Sequence, residues 1–343
     1  MLGSVSSERP ATLSEVAQLA GVSLATASRA VNGRARISEA TRRRVLRAAR
    51  QLSYAPNLAA KSLASGRGSI VGVLLPDEMV HRIAMPVVIG AQAELEQRDF
   101  SAIIADATGD AARLGELGVM LRQRGVDGLL VIGNRQASTP SVSRVTELPC
   151  VYVHGATTDH RDIVHVSNDF AGACAVVDHL AALGRRRIAH VTGPEHAQAV
   201  NERVRGVMHG LREHGLDLHG PVRYGSWSQR WAHEAARELL EQAPDVDAIV
   251  CGSDQIAAAV LESVAATGRK VPGDVAVTGW DNWTVFAQET DPGLTTMDME
   301  LEQIGAAAVR DLFAIIEGAR PGGGVRLHEP TLVVRGSTDI TLS

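Results

Sequence analysis

The stretch TLSEVAQLAGVSLATASRAVNG, residues 12–33, contains two short helical patterns separated by a glycine. Thr12 is a residue type that caps helices, and Gly21 permits the positive φ of a sharp turn. Ser23 caps the second pattern, which Gly33 ends. The apolar residues of the first pattern follow the i, i+3, i+4, i+7 spacing of one helix face: Leu13, Val16, Ala17 and Ala20. This arrangement predicts a helix-turn-helix.

A third helical pattern, EATRRRVLRAARQLSY (39–54), follows Ser38 and carries five arginines. Residues 1–67 contain eleven Lys and Arg against three Asp and Glu, a net charge of +8, whereas the other 276 residues carry −13. A basic head on an acidic body is typical of a nucleic-acid-binding module joined to a different kind of domain.

In a helix-turn-helix, the second helix enters the major groove and its early side chains contact base edges. Hydroxyl and backbone N–H groups hold phosphates, which set the register. Arg29 suits guanine or a phosphate, while Leu24 and Ala25 make apolar contacts, for example with thymine methyl groups. The DNA contacts expected in the head are Thr12, Ser23, Leu24, Ala25, Thr26, Ser28, Arg29 and Asn32.

Pro56 ends the third helix, and NLAAKSLASG (57–66) follows it. The segment is shorter than the ~12–15 residues that an isolated helix needs in water, so we expect a hinge that orders on DNA. Asn57 caps it in this interpretation, Ala60 contacts DNA, and Leu63 wedges into a minor-groove base step. A plain linker is the alternative.

The sequence of residues 12–66 resembles, without a gap, the head and hinge of the LacI/GalR family of bacterial transcription repressors. The resemblance implies a homodimer on a pseudo-palindromic operator in double-stranded DNA, with paired hinge helices opening the minor groove. We therefore predict a DNA-binding domain over 10–56 and a hinge over 57–67.

Beyond residue 68, strand-like runs alternate with helical ones. The runs are rich in β-branched residues and nearly continuously apolar, which indicates parallel sheets buried on both faces in a βαβ series. The predicted strands are 69–76, 101–106, 127–133, 149–154, 187–193, 247–253 and 275–280, and the predicted helices include 86–98, 169–184, 228–242 and 301–317.

The fold class is thus an N-terminal all-α helix-turn-helix domain plus an α/β core of two doubly wound parallel-sheet subdomains. The expected core spans 68–343. Its first subdomain is expected at about 68–160 plus 284–297, and its second at about 161–283 plus 298–343. Motifs such as GVDGLLVIG and HLAALGRRRIAHVTGP resemble the family's ligand-binding core, which shares the fold of periplasmic sugar-binding proteins. The resemblance implies an effector in the cleft between the subdomains.

A sugar cleft needs planar polar groups for hydroxyls and an aromatic face for the ring. Arg203 in ERVRG and Asp281 in GWDN match the family's effector-binding arginine and aspartate. Ser253 and Trp227 fall at two further effector positions of the family. Trp280 and Trp283 are candidates for either stacking or packing.

The segment DEMVHRIAMP (77–86) departs from the family pattern after the first strand. His81 and Arg82 are expected to replace its first-lobe contacts, with an exposed loop as the alternative. Met299 also departs from the family's polar residue. Asp254 is expected to cap the helix after Ser253.

Other classes of protein are disfavoured. No apolar run reaches the ~18 residues of a membrane span, and no secretion signal is evident. Three scattered cysteines fit a reducing cytoplasm and no Cys-based metal site. Phosphate-loop, dinucleotide and hydrolase motifs are missing, so we predict no enzyme, no cofactor and no metal.

We predict a cytoplasmic, homodimeric, sequence-specific repressor controlled by a small sugar or sugar derivative. The open alternatives are a purine or phosphoprotein signal, activation in place of repression, and a sugar-binding protein or enzyme without a DNA role.

Overall fold

The computed structural model describes residues 11–31, 37–52, 54, 69–76, 81–133, 138, 140–339 and 341. By its internal contacts the chain divides into two compact units, residues 1–68 and 69–343. Four of the expected DNA contacts lie outside the described residues: Asn32, Asn57, Ala60 and Leu63.

The first unit contains three described helices around a small core. They are α1 (Leu13–Ala20), α2 (Leu24–Val31) and α3 (Glu39–Gln51). The core is built mainly from alanines, whose small side chains let the helices approach closely. Its buried members are Val16, Ala17, Ala20, Ala27, Ala30, Val45, Ala48 and Ala49. The predicted helix-turn-helix is confirmed.

The helices of this unit begin at the caps expected from the sequence. The hydroxyl of Thr12 accepts a hydrogen bond from the Glu15 N–H at 3.3 Å. The Ser23 hydroxyl accepts from the Thr26 N–H at 3.2 Å. Gly21, with φ of 61°, makes the left-handed turn between α1 and α2. Each cap satisfies a backbone donor that the first helical turn leaves open.

The second unit contains two six-stranded sheets, and the first is parallel throughout, in the order β11-β5-β4-β3-β1-β2. Its strands are β1 (Ile70–Leu75), β2 (Ser101–Asp106), β3 (Gly128–Ile132), β4 (Cys150–Val153), β5 (Ile163–Ser167) and β11 (Gly324–His328). The helices of this first lobe are α4 (His81–Glu96), α5 (Ala111–Gln123), α6 (Val142–Thr146) and α12 (Leu301–Ile316).

The second sheet has the order β12-β10-β9-β8-β6-β7, with only β12 antiparallel to its neighbour among the described pairings. Its strands are β6 (Ile188–Thr192), β7 (Arg223–Tyr224), β8 (Ala248–Cys251), β9 (Ala276–Trp280), β10 (Thr295–Asp298) and β12 (Thr331–Val333). The helices of this second lobe are α7 (Asp169–Ala182), α8 (Gln198–Glu213), α9 (Gln229–Gln242), α10 (Asp254–Ala266) and α11 (Thr284–Ala287). The predicted pair of doubly wound subdomains is confirmed.

The chain crosses between the lobes at three places, and these differ from the expected boundaries. β5 belongs to the first lobe because it pairs with β4 and β11, so the first crossover follows residue 167 and not 160. β10 belongs to the second lobe because it pairs with β9. Residues 301–328 return to the first lobe, since α12 packs on α4 and β11 extends the first sheet. Residues 284–297 were expected in the first lobe and lie in the second. Of residues 298–343, all expected in the second lobe, residues 301–328 lie in the first.

Close packing of α4 and α12 fixes the first lobe beside the crossovers. A Cβ on Gly90 would lie 1.8 Å from the carbonyl oxygen of Glu302, and one on Gly305 would lie 2.1 Å from that of Val87. Only glycine allows this approach. The start of α4 is thereby held near residues 298–303. Within the described residues, no helix is long and apolar enough to cross a membrane.

Candidate functional sites

The outer surface of α2 is the candidate nucleic-acid interface. Ala27 and Ala30 are buried in the core, which directs Leu24, Ala25 and Arg29 outward. The Leu24 side chain is 55% exposed although it is large and apolar. A helix with its inner face fixed by two alanines leaves this outer stripe to contact a partner.

The polar groups near the start of α2 are partly engaged within the helix. The hydroxyls of Ser23 and Thr26 lie 2.9 Å apart. The Nε of Arg29 donates to the Ala25 carbonyl at 3.1 Å, which orients the guanidinium along the exposed face. Ser28 is half-buried beside it. At the start of α1, the hydroxyl of Thr12 donates to the Glu15 carboxylate at 2.9 Å.

The exposed face of α3 carries most of the positive charge of the described head. All five of its arginines are exposed: Arg42, Arg43, Arg44, Arg47 and Arg50. Such a face attracts duplex phosphates without reading sequence.

A cavity of about 470 Å³ lies where the two lobes meet. The first lobe contributes Arg82, Ile83 and Pro86 from the start of α4. Residues 281–284, after β9, form the opposite wall, and residues 298–303, from the second crossover into α12, form the third. The lining mixes carboxylates with apolar and aromatic surface, as in pockets for polar small molecules.

The backbone turns sharply at the end of β9 to present Asp281 to this cavity. Asp281 has φ of 108° and Asn282 has φ of 49°, both in the left-handed region that favours glycine. The turn is held because the Asp281 N–H donates to the Met297 carbonyl at 2.9 Å and the Asn282 amide donates to Asp298 at 2.8 Å. Strained backbone of this kind is typical of ligand sites.

The Asp281 carboxylate is buried and incompletely satisfied. Its side chain is 8% exposed, and its nearest cation is Arg82, with Nη2 to Oδ2 at 3.6 Å. Oδ2 accepts no hydrogen bond from any described residue. The guanidinium of Arg82 lies 5.3 Å from the ring centre of Trp283. Burial raises the pKa of Asp281, while the charges of Arg82 and Arg203 oppose that shift.

Arg203 and Trp280 form a buried layer that does not line the cavity. The Nε of Arg203 donates to Asp169 at 2.8 Å and its Nη1 donates to the Gly252 carbonyl at 2.6 Å. The guanidinium stacks 4.4 Å from the ring centre of Trp280. Arg203 contacts the cavity lining at Met299, whose sulfur accepts from Nη2 at 3.7 Å.

Ser253, and not Asp254, caps helix α10, so the expected cap is corrected. The Ser253 hydroxyl accepts from the Ile256 N–H at 3.2 Å. Asp254 is the first helical residue, and its carboxylate accepts from the Trp283 N–H at 2.7 Å. Burial, with the nearby charge of Asp281, raises the pKa of Asp254 to about 8. Asp254 therefore supports the wall that carries Trp283.

The structure brings together only some of the predicted effector residues. Arg82, Asp281 and Trp283 share the cavity lining. Trp227 lies against Gly193, where an added Cβ would meet its ring at 2.3 Å, and it packs on the second-lobe core. His81 is the first residue of α4, and its side chain is not among the parts of the chain that the structure describes.

Sequence reasoning missed several lining residues: Ile83, Pro86, Asn282, Asp298, Glu300, Leu301, Glu302 and Gln303. Most come from the second crossover, whose position the strand patterns did not reveal. Among the described residues, no group of three His, Cys, Asp or Glu side chains is arranged to hold a metal ion.

Comparison with known proteins matches both units. Residues 12–57 match the family of bacterial regulatory proteins, lacI family. Residues 177–338 match the periplasmic binding protein-like domain.

Curated relatives match over almost the whole chain. The HTH-type transcriptional regulator CelR of Thermobifida fusca is 34% identical over 339 residues, covering 96% of this chain and 98% of CelR. The HTH-type transcriptional repressor CytR of Escherichia coli K12 is 28% identical, covering 96% of this chain and 97% of CytR.

Solved structures agree. A complex of the transcriptional regulator CelR with cellobiose is 31% identical, with a TM-score of 0.69 over 96% of this chain and all of that one. The Lac repressor dimer bound to operator, 24% identical with a TM-score of 0.75 over 96% of this chain and 99% of that one, shares the fold. Since the chain joins a lacI-type head to this core along its full length, and its relatives are regulators and not enzymes, it belongs to the LacI family of bacterial transcriptional regulators.

Proposed function

We propose that this regulator is a homodimeric repressor whose affinity for a pseudo-palindromic operator is controlled by a small sugar or sugar derivative in the interlobe cavity. The proposal of a sugar effector rests on the buried Asp281 carboxylate. It faces a cavity lined from both lobes, and its Oδ2 has no hydrogen-bond donor among the described residues.

The α2 surface supports sequence-specific reading of the major groove. Leu24 and Ala25 offer apolar contacts to thymine methyl groups, and Arg29 offers a bidentate donor to guanine. Hydroxyl groups at the start and along the side of α2 suit phosphate contacts: those of Ser23, Thr26 and Ser28. We propose the same role for Thr12 and Asn32. The hinge residues Asn57, Ala60 and Leu63 stay part of the proposal, with Leu63 as the minor-groove wedge.

Exposed apolar side chains on the first lobe support a homodimer. Met85 and Ile89 on α4 are 58% and 53% exposed, and Ile104 on the adjacent edge strand β2 is 51% exposed. α4 and β2 also pack on each other, so these side chains belong to neighbouring elements. Apolar surface of this kind marks association sites, and a two-fold dimer matches a palindromic operator.

The cavity chemistry supports a polyhydroxylated effector. Asp281 accepts hydroxyl donors, and the amide of Asn282 lies next to it. Trp283, Met299 and Ile83 supply apolar surface for the C–H faces of a ring. Because the structure of the relative CelR is a complex with cellobiose, this disaccharide is the first compound to test.

The proposed mechanism is a shift between two arrangements of the lobes. An effector that contacts α4 of one lobe and Asp281 of the other favours one closure state, and that state sets the separation of the two hinges in the dimer. The coupling free energy expected between the two ligands is about 1–3 kcal/mol.

The test is a thermal-shift and calorimetric screen of mono- and disaccharides on the full chain, with Asp281→Asn as the test variant. Asp217→Asn, an exposed position outside the cavity lining, is the matched control. A bound sugar raises the melting temperature by mass action. We expect the wild type and the control to bind the same sugar and Asp281→Asn to lose it. Equal binding by Asp281→Asn would remove Asp281 from the site, and no bound sugar at all would refute the effector class.

A further inference from the structure

Within the proposed sugar-responsive function, we infer that the cavity accepts uncharged saccharides and rejects sugar phosphates and sugar acids. Among the described residues, the lining includes four acidic residues, Asp281, Asp298, Glu300 and Glu302, and one arginine, Arg82. The local field is therefore negative along two of the three walls, those formed by residues 281–284 and 298–303. An anionic ligand meets like charges at short range, in a partly enclosed space where solvent screening is weaker than in bulk water.

Arg82, the one lysine or arginine among the described lining residues, is already engaged. Arg82 Nη2 lies 3.6 Å from the Asp281 carboxylate, and the guanidinium packs beside Trp283. A phosphate that recruited Arg82 would take the cation away from an Asp281 side chain that is only 8% exposed. Removing one partner from a buried ion pair is strongly unfavourable. Arg82 is therefore a poor phosphate receptor in this chain.

The neighbouring arginines are also engaged and do not line the cavity. Arg203 donates to Asp169 and to the Gly252 carbonyl. Arg335 donates to the Asn282 side chain at 2.8 Å and to the Leu294 carbonyl at 2.8 Å. Both hold the wall in place. Neither presents a guanidinium fork of the kind that proteins use for phosphate.

An independent observation points to a ligand that donates hydrogen bonds. Oδ2 of Asp281 is a buried acceptor with no hydrogen-bond donor among the described residues. A sugar hydroxyl placed against Oδ2 supplies such a donor, whereas an ionised phosphate group in the same place supplies none and adds a like charge. Ile83, Pro86 and Leu301 provide apolar surface next to it. The acidic lining and the buried acceptor of Asp281 thus both favour an uncharged, hydroxyl-rich ring.

Calorimetry on the full chain tests this charge selectivity with matched ligand pairs: cellobiose and cellobiose 6-phosphate, and glucose and glucose 6-phosphate. We expect the uncharged member of the pair that binds to bind about tenfold or more tightly than its phosphate. The difference in affinity between the sugar and its phosphate should shrink as salt is raised from 0.05 to about 0.5 M, because salt screens the repulsion between the phosphate and the acidic residues at the open side of the cavity.

A pair of variants tests whether an acidic lining residue causes the selectivity. Glu302→Gln should narrow the ratio of the affinities for cellobiose and cellobiose 6-phosphate several-fold. Glu317→Gln removes the same charge from the far, exposed end of α12 and should leave the ratio unchanged. Because the readout is a ratio within one variant, a change in the fraction of folded protein does not imitate the effect.

The outcomes separate the two proposals. Equal affinity for a sugar and its phosphate, or a ratio that Glu302→Gln does not move, overturns the charge selectivity and leaves the sugar-responsive regulator standing. A phosphate that binds when its parent sugar does not also overturns it. No binding by any sugar or phosphate refutes the proposed effector class, and the selectivity with it.

Discussion

Replacing Arg203 by methionine tests whether the second lobe is held together as the structure describes. Arg203 was expected from the sequence to bind effector directly. Its guanidinium joins three elements of one lobe: it donates to Asp169 on α7 at 2.8 Å and to the Gly252 carbonyl after β8 at 2.6 Å, and it stacks on Trp280 of β9. Methionine keeps the length and apolar stem of the side chain and removes all of its donors.

The expected cost is large because both members of the ion pair are buried. The side chains of Arg203 and Asp169 are 5% and 0% exposed. Removing one partner of such a pair lowers the free energy of unfolding by about 3–5 kcal/mol. Loss of the cation–π contact with Trp280 adds to this. Arg205, two residues further along α8 and exposed, pairs with Glu202 at the surface. Arg205→Met should therefore cost less than about 1 kcal/mol.

Urea unfolding followed by tryptophan fluorescence measures the difference. All four tryptophans, at 227, 231, 280 and 283, lie in the second-lobe segment, so the signal reports on the lobe that holds Arg203. The double variant Asp169→Asn with Arg203→Met should recover part of the loss, because it removes the stranded charge. Equal costs for Arg203→Met and Arg205→Met would refute the buried-pair account.

Three further perturbations check other parts of the structure. Burial lowers the pKa of His190 from 6.5 to about 4, so the unfolded chain binds the proton first and this site lowers the free energy of unfolding by about 3 kcal/mol as the pH drops from 6.5 through 4. His190→Asn should remove this contribution from the pH dependence of urea unfolding and leave that of His165, whose pKa burial also lowers to about 4. Arg29→Ala should weaken operator binding by about 1–3 kcal/mol in fluorescence anisotropy, and an equal loss on random DNA would make Arg29 a phosphate contact. Ile89→Lys should shift the chain from dimer to monomer in sedimentation velocity, whereas an unchanged dimer would place the interface elsewhere.

Local sequence patterns predicted the head well because its structure depends on neighbours in sequence. Caps at Thr12 and Ser23, the turn at Gly21 and the alanine core all follow from residues a few positions apart. The same reasoning found β1, β3, β4, β6, β8 and β9, since a continuous apolar run needs no knowledge of its partner. It missed β5, which is also buried throughout.

The site was harder to predict because its residues meet only through the crossovers. β10 and β11 are short and carry polar or exposed residues, so their periodicity gave no sign that the chain changes lobes around them. The boundaries placed at 284 and 298 were wrong for this reason, and the boundary at 160 was wrong because the strand predictions omitted β5, whose short apolar run is interrupted by His165. The roles of Arg203 and Asp254 likewise depend on bonds to Asp169 and Trp283, which lie far away in sequence.

The structure distinguishes the three candidate tryptophans. The family resemblance placed Trp227 at an effector position, whereas Trp280 and Trp283 were candidates for either stacking or packing. Trp280 is buried on Arg203, Trp227 packs on Gly193, and Trp283 lines the cavity beside Arg82. The distinction arises from the left-handed turn at Asp281 and Asn282, which reverses the chain immediately after Trp280.

Selection of duplexes from a random library by the full chain, followed by anisotropy titration with and without the sugar found by calorimetry, tests the central claim most directly. The account predicts an enriched inverted repeat that is bound at least about a thousandfold more tightly than bulk genomic DNA and that loses about 5- to 150-fold in affinity when the sugar is added. Enrichment of no inverted repeat, or an operator affinity that a saturating bound sugar leaves unchanged, would contradict it.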